Sequence, residues 1–542
     1  MSQTHQVINQ PPPRAGGNAF RDDPLLLALA RPLGQTAIGE LDEIGRYALA
    51  PEALDLARLA NENPPKLKTH DRQGHRIDQV EFHPGWHALM RRSVGFGLAS
   101  SLWETDAGNA RHLNRAARFY MLAGLESGHM CPLTMTSAAM AALMVSPHLA
   151  REWGPRLTTR KYDSSNRAPV EKAGLLIGMG MTEKQGGSDL SDMSSRAEPV
   201  GNGLYRLTGH KWFMSAPMSD AFLMLARAPA GISCFLVPRL MAGGEPNGLR
   251  FQRLKDKLGN RSNASSEVEF AGAIGQLVGE EGRGIRTIIE MVTLTRLDCA
   301  LGSAGMMRAG LAEAVHHARH RKVRGEALLD KPLMARVLAD MALDVAACTA
   351  LAFRLARAYD AARTDPAEGA FARAMTPAVK YWVCKTAPPL LAEAMECMGG
   401  NGYVEEGVLA RHYREAPVNA IWEGSGNVMA LDVMRVHDKS PETFETIIAG
   451  LSGQLGPRGE KTIEVIRAAL SLAARDEGAA RIATEQLAIA SAAAELRRLG
   501  MGALADAFAE TRLGGAWRAT YGMLDARFDG RAIVDGLYAP PS

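Results

Sequence analysis

The hydrophobic period of this chain changes twice, and the order of those changes limits its fold more than any other feature. From about residue 25 to 165, apolar residues recur three or four apart, as in 25–30, 53–60, 86–98 and 114–125. That is helical spacing. Pro64, Pro65, Pro84 and Pro132 punctuate these runs. Near 174 the pattern becomes short apolar pieces separated by Gly, Pro and Asn: 174–181, 205–207, 221–226, 233–237 and 268–270. A small β-domain reads this way. Long helical runs return over 284–437, as in 302–320 and 333–361, and an Ala-rich helical segment covers about 441–535. The expected fold is mainly α with a central β-domain. Its parts are an N-terminal helical domain (1–173, opening with an extended polar stretch to 24), a β-domain (174–283), a helical bundle (284–440) and a C-terminal helical extension (441–542).

The chain has 542 residues, long enough for several cores. Its formal charge is only +3, which gives no bulk argument for a nucleic-acid partner. Six cysteines occur, none in a CxxC pair. Scattered thiols of this kind point to a reduced, cytoplasmic protein. Residues 1–14 are polar and Pro-rich, without the apolar core of a signal peptide, and no apolar run reaches 18 residues.

Four segments carry the chemistry. Gly180-Met181-Thr182-Glu183-Lys184-Gln185-Gly186-Gly187-Ser188-Asp189 comes after a strand-like run, and its amides and Thr182 can face an acceptor-rich ring. A plain β-turn is an equal reading. Gly209 to Ser215 sets Phe213 two residues before a hydroxyl, so one residue can stack on a ring and the other bond its edge. As an isolated feature, it is more often an ordinary buried strand with core aromatics. Glu396 to Tyr403 ends a helix with Gly399, Gly400 and Gly402, either as a stop or as amides exposed to a phosphate. Ile421-Trp422-Glu423-Gly424-Ser425-Gly426-Asn427 places a carboxylate just before an apolar helix that Ser425 can cap. There Glu423 serves either as a general base or as an acid that steadies a helix start.

These segments occur together and in order, and the chain resembles the acyl-CoA dehydrogenase family. The loop at 180–189 is similar to that family's first signature, and the stretch from Glu396 through Tyr403, Glu406 and Arg411 to Glu415 is similar to its second. The run from Lys257 to Val268 resembles the family's exit from its β-domain. Asn9-Gln10-Pro11, Lys184-Gln185, 255–269 and 422–435 look like the branch linked to the bacterial adaptive response to DNA alkylation. That branch carries an extra C-terminal helical domain.

The resemblance implies a homotetramer with FAD between the β-domain and the four-helix bundle. It places Met181, Thr182, Ser188, Phe213 and Ser215 at the flavin side, and Ser425 and Asn427 beside the phosphates or ribityl chain. It gives Arg321, Glu396 and Gly400 to FAD across the dimer contact. It makes Glu423 the base that removes the α-proton of an acyl-CoA, such as isovaleryl-CoA, while a β-hydride passes to the flavin. It also implies double-stranded DNA as a partner of the extension, through Arg497, Arg498 and Arg518. Residues 441–542 nonetheless hold eleven basic and thirteen acidic residues, a net of −2, so only a clustered stripe would serve.

Three departures stand out. Asp192 takes a small-residue position of the first signature. Arg324 stands where the family has Phe, which alters the adenosine contact or supplies a phosphate ligand. Arg435 lies twelve residues after Glu423, and either approaches and weakens the base or serves as a helix-end cation. His316 and His320 have i,i+4 metal spacing but lack the intervening Glu of a metalloprotease motif, and no metal is expected. Two functions compete: a working acyl-CoA dehydrogenase, and a DNA-binding flavoprotein with an idle site. The presence of Glu423 argues against a third, a flavin monooxygenase on the same fold.

Overall fold

The structure, a computed structural model, describes residues 4–104, 108–513 and 528–538. The chain forms two compact units: 52–111 with 126–298, and 1–51 with 112–125 and 299–542. The N-terminal helical stretch is thus shared between them.

The first unit carries the sheet. A hairpin of β1 (Lys66–His70) and β2 (Arg76–Glu81) opens it. Both strands are polar and only half-buried, so no apolar alternation announces them in the sequence. The seven further strands are β3 (Ile177–Gly180), β4 (Arg196–Gly201), β5 (Leu204–Ser215), β6 (Ala221–Ala228), β7 (Gly231–Pro238), β8 (Leu249–Leu254) and β9 (Ser265–Val278). They run in the order β3-β6-β4-β5-β9-β7, β7 also pairs β6, and β8 pairs β9. That extra pairing closes the sheet into a barrel, as the family resemblance implies. Leu207, Met214, Phe222, Met224, Phe235, Phe251 and Val268 fill its core.

One irregularity of the barrel decides which way Phe213 faces. In the β5–β9 ladder Lys211 pairs Val268 and Met214 pairs Ser266, so Trp212 and Phe213 together oppose Glu267. Such a bulge shifts the inward–outward alternation by one residue. Lys211 and Met214 both point inward, and Phe213, at 49% exposure, is turned out.

The second unit is helical. Its long elements are Pro332–Ala361, Pro366–Cys397, Val408–Asn419, Gly426–Lys439 and the Gly284–His320 helix from Cys299 onward. Residues 338–353 of the Pro332–Ala361 helix are buried without a break, which marks a helix surrounded by others. Between two of these helices β10 (Lys322–Val323) and β11 (Glu326–Ala327) form a tight hairpin. Arg324 and Gly325 occupy its tip with φ of +53° and +85°. Two successive left-handed residues make the turn that suits strand twist, at some strain for the arginine.

The extension belongs to this unit. Its helices include Pro441–Leu451, Gly459–Ala473, Ala480–Arg498, Gly502–Arg512 and Gly530–Leu537. Arg512 holds it to the bundle, reaching Asp340 at 2.6 Å and Asp344 at 3.0 Å, with all three side chains buried. Arg357 reaches Glu495 at 2.5 Å. Among the described residues no helix is long and apolar enough to cross a membrane.

Candidate functional site

In the sheet unit the loop after β3 turns tightly, with Glu183 and Gly186 exchanging backbone hydrogen bonds of 3.0 and 3.2 Å. The buried Glu183 carboxylate organises it. It accepts from Ser194 N, Ser194 Oγ and Gln185 Nε2, each at 2.7 Å, and pairs with Lys211 on β5. Burial opposes ionisation of Glu183, but Lys211 and the serine donors outweigh it and hold its carboxyl well below the usual range. The loop is tied to β5 a second time, because Trp212 N donates to Thr182 O at 2.8 Å. Met181 and Thr182 stay half-buried, and Ser188 is exposed. A Cβ on Gly187 would come within 2.7 Å of Thr182 Oγ1, so this position needs glycine.

Ser215 Oγ lies 3.3 Å from Ser265 Oγ, and the Lys255 ammonium sits 3.3 Å from the Trp212 ring centre and 4.6 Å from that of Phe213. A flat ring with a polar edge fits this surface. Phe213 offers an exposed aromatic face and Thr182 and Ser215 offer hydroxyls, while the Lys255 ammonium beside them is paired with Glu267 at 2.7 Å. Asp192 only contributes its carbonyl to Gln185 Nε2 at 2.9 Å, so the departure from the signature leaves the loop closed.

In the helical unit Gly399 (φ +61°) and Gly400 end the Pro366–Cys397 helix, and a Cβ on either would meet nothing within 4 Å. Glu396 beside them is exposed. Open backbone next to an exposed carboxylate fits the ribose and phosphate end of a dinucleotide. The N-terminal arm steadies both this loop and Arg321. Arg321 Nη1 donates to Asn9 O at 2.6 Å, Asn9 exchanges hydrogen bonds of 2.8 and 2.7 Å with the Lys322 backbone, and Asn401 donates to Gln10.

Glu423 itself has φ +59° and Gly424 φ +103°. A glutamate held left-handed costs about 1–3 kcal/mol and persists only where its surroundings fix it. Trp422 Nε1 donates to Asn419 Oδ1 at 3.1 Å on one side of the turn. On the other, Lys380 Nζ donates to Gly424 O at 2.6 Å. Ser425 then starts the Gly426–Lys439 helix by backbone geometry alone, without a side-chain cap. Asn427 Oδ1 accepts from Arg481 Nε of the extension at 2.7 Å. The roles of Lys380 and Arg481 are not visible in any motif. The one sequence signal for Lys380 is a lone cation within the apolar run 374–384.

The other candidate cations are engaged with partners or exposed. Arg435 pairs with Asp432, three residues before it, and is 64% exposed. Arg324 is exposed at its hairpin tip. His316 Nε2 meets Pro12 O at 2.8 Å, and His320 Nδ1 meets His316 O at 2.8 Å. Arg497 pairs with Asp506, and Arg498 with Glu495. Arg518 lies outside the described residues. All six cysteines are buried.

Most of the chain matches known proteins. Residues 9–164 match the adaptive response protein AidB N-terminal domain, 178–273 the acyl-CoA dehydrogenase middle domain and 282–437 the acyl-CoA dehydrogenase C-terminal domain. The chain is 50% identical over 447 residues, 82% of each sequence, to the putative acyl-CoA dehydrogenase AidB of Escherichia coli strain K12. It is 32% identical over 442 residues, 77% of this chain and 70% of the relative, to acyl-CoA dehydrogenase family member 11 of Caenorhabditis elegans. The crystal structure of Caenorhabditis elegans ACDH-11 in complex with C11-CoA superposes with a TM-score of 0.86 at 28% identity, covering 96% of this chain and 95% of that one. The chain belongs to the acyl-CoA dehydrogenase family of flavin-dependent oxidoreductases.

Proposed function

We propose that this chain, with FAD bound, catalyses α,β-dehydrogenation of an acyl-CoA thioester, with Glu423 as the base. The observation that carries this reading is the left-handed Glu423 turn, held from both sides immediately before a helix. Strain of this kind is retained where a side chain must be aimed. Met181, Thr182, Phe213 and Ser215 hold the isoalloxazine ring, with Ser188 at the edge of the same loop, and Ser425 and Asn427 hold the phosphate or ribityl portion. Arg321, Glu396 and Gly400 serve the FAD of a neighbouring subunit in a homotetramer.

When bound, FAD supplies the acceptor for the β-hydride. The chain supplies position and proton transfer. The Glu423 backbone amide donates to the thioester carbonyl, which acidifies the α-carbon. The Glu423 carboxylate takes the α-proton, and the electrons of that C–H bond form the Cα–Cβ double bond as the hydride leaves.

A role in protection from DNA alkylation rests on the resemblance to AidB. Arg497 and Arg498 are engaged with Asp506 and Glu495, which favours the dehydrogenase reading over an idle site on a DNA-binding protein. The test is anaerobic titration of the purified flavoprotein with isovaleryl-CoA and longer thioesters. Bleaching of the flavin band by wild type, and its loss in Glu423→Gln with flavin content unchanged, are expected. No bleaching by any acyl-CoA would overturn the reading.

A further inference from the structure

We propose that Lys380 is a positioning residue for the catalytic carboxylate, its buried ammonium fixing the Glu423–Gly424 turn through the Gly424 carbonyl. This rests on the reading of Glu423 as the base. Lys380 lies in the middle of the Pro366–Cys397 helix, where every residue from Ala374 to Cys384 is buried, and it is itself only 1% exposed. An ammonium taken out of water costs several kcal/mol unless a well-placed acceptor compensates it. At this depth Leu or Met would pack without that cost. Here the acceptor is the Gly424 carbonyl, 2.6 Å from Nζ and forty-four positions along the chain.

That carbonyl belongs to the two-residue stretch where the backbone is left-handed, at Glu423 (φ +59°) and Gly424 (φ +103°). Fixing the Gly424 carbonyl fixes the peptide plane after it. With Trp422 Nε1 anchored on Asn419, and Asn419 in turn on Ser303 Oγ at 3.1 Å, the turn is held at both ends. The Glu423 Cα between them has little freedom left. A charge-assisted hydrogen bond is about twice as strong as a neutral one, enough to offset the strain of one left-handed residue. Releasing it lets Glu423 relax toward ordinary backbone, and a displacement near 1 Å at a reacting group costs on the order of a hundredfold in rate.

The experiment compares Lys380→Met, Lys380→Gln and Glu423→Gln in the flavin-loaded protein. For Lys380→Met we expect kcat to fall about a hundredfold, with KM changed less than about threefold and flavin content retained. Hydrogen exchange of the amides at 423–426 should accelerate at least about tenfold, while exchange in β5 and β9 stays the same. A purely structural role would raise exchange broadly and leave kcat per bound flavin intact. Should Lys380→Met fail to fold, Lys380→Gln, which keeps a neutral donor, carries the test with an expected loss of at least about tenfold in kcat. Wild-type kcat and unchanged exchange at 423–426 in the variant that folds would overturn the assignment. If Glu423→Gln itself retains turnover, the base reading fails, and the exchange data still decide whether Lys380 holds the turn.

Discussion

The Lys211 ammonium lies 2.7 Å from the Glu183 carboxylate, and neither side chain is more than 2% exposed. One residue sits in the loop that carries Met181 and Thr182, the other on the strand that carries Phe213. The pair therefore sets the distance between two elements of the proposed flavin surface. Removing one partner leaves the other buried and uncompensated, at a cost of about 3–5 kcal/mol. Glu183→Gln and Lys211→Met should each lower the melting temperature and the flavin content of the purified protein. The double variant should lose less than the sum of the two. Strict additivity in a double-mutant cycle would show that the two side chains do not interact.

The same pair predicts an acid limit for flavin retention. Glu183 has a folded-state pKa below its ordinary value, because Lys211 and the serine donors outweigh burial. A depressed carboxyl contributes its full stability above the ordinary glutamate range and loses it as pH falls through the depressed value. Flavin release, tracked by the rise in its fluorescence, should therefore begin in acid, below the ordinary glutamate range. In Glu183→Gln the step should flatten. An identical acid profile in wild type and variant would remove Glu183 as its cause.

A second, largely buried pair fixes the C-terminal end of the described chain. Arg308 Nε reaches Asp23 Oδ2 at 2.8 Å, its Nη2 donates to Leu537 O at 3.0 Å, and its guanidinium stacks 3.4 Å from the Tyr538 ring centre. Arg308→Met should cost about 3–5 kcal/mol in urea unfolding. Tyr538→Phe removes only the 3.1 Å hydrogen bond to Arg308 O and should cost about 1 kcal/mol. Equal losses in the two variants would place the anchor in the tyrosine hydroxyl rather than the ion pair.

Local chemistry decides how much of the fold and the site is legible in the sequence. The helical unit announces itself because a buried helix such as Pro332–Ala361 needs apolar residues over many turns. Strand β6, buried along nearly its whole length, and β7, buried from Ser233 to Val237, read as apolar runs. Strands β4 and β8 do not, because Arg196, Glu198, Arg250, Gln252 and Arg253 face outward from them. The signature positions of the site are readable as motifs, but their supports are not. Lys211, Lys380 and Arg481 reach partners 28, 44 and 54 positions away, and no period or spacing in a single sequence encodes such pairings. The bulge that turns Phe213 outward is likewise a property of β5 against β9 rather than of β5 alone.

The extension's arginines give the last prediction. Arg497 Nη2 is paired with Asp506, and Arg498 donates twice to Glu495, at 2.8 Å in each case. Glu495 is buried and also holds Arg357, so Arg498 cannot leave without stranding part of a buried carboxylate. A cation already neutralised in this way releases few counterions from a duplex. Were both arginines phosphate contacts, replacing them with Ala would lessen the slope of log K against log[salt] by about 1.8. Because both are committed to carboxylates, the change expected for the double variant is below about 0.5. Fluorescence anisotropy of a labelled duplex over a salt series measures it, and a change near the larger value would put Arg497 and Arg498 on the DNA backbone.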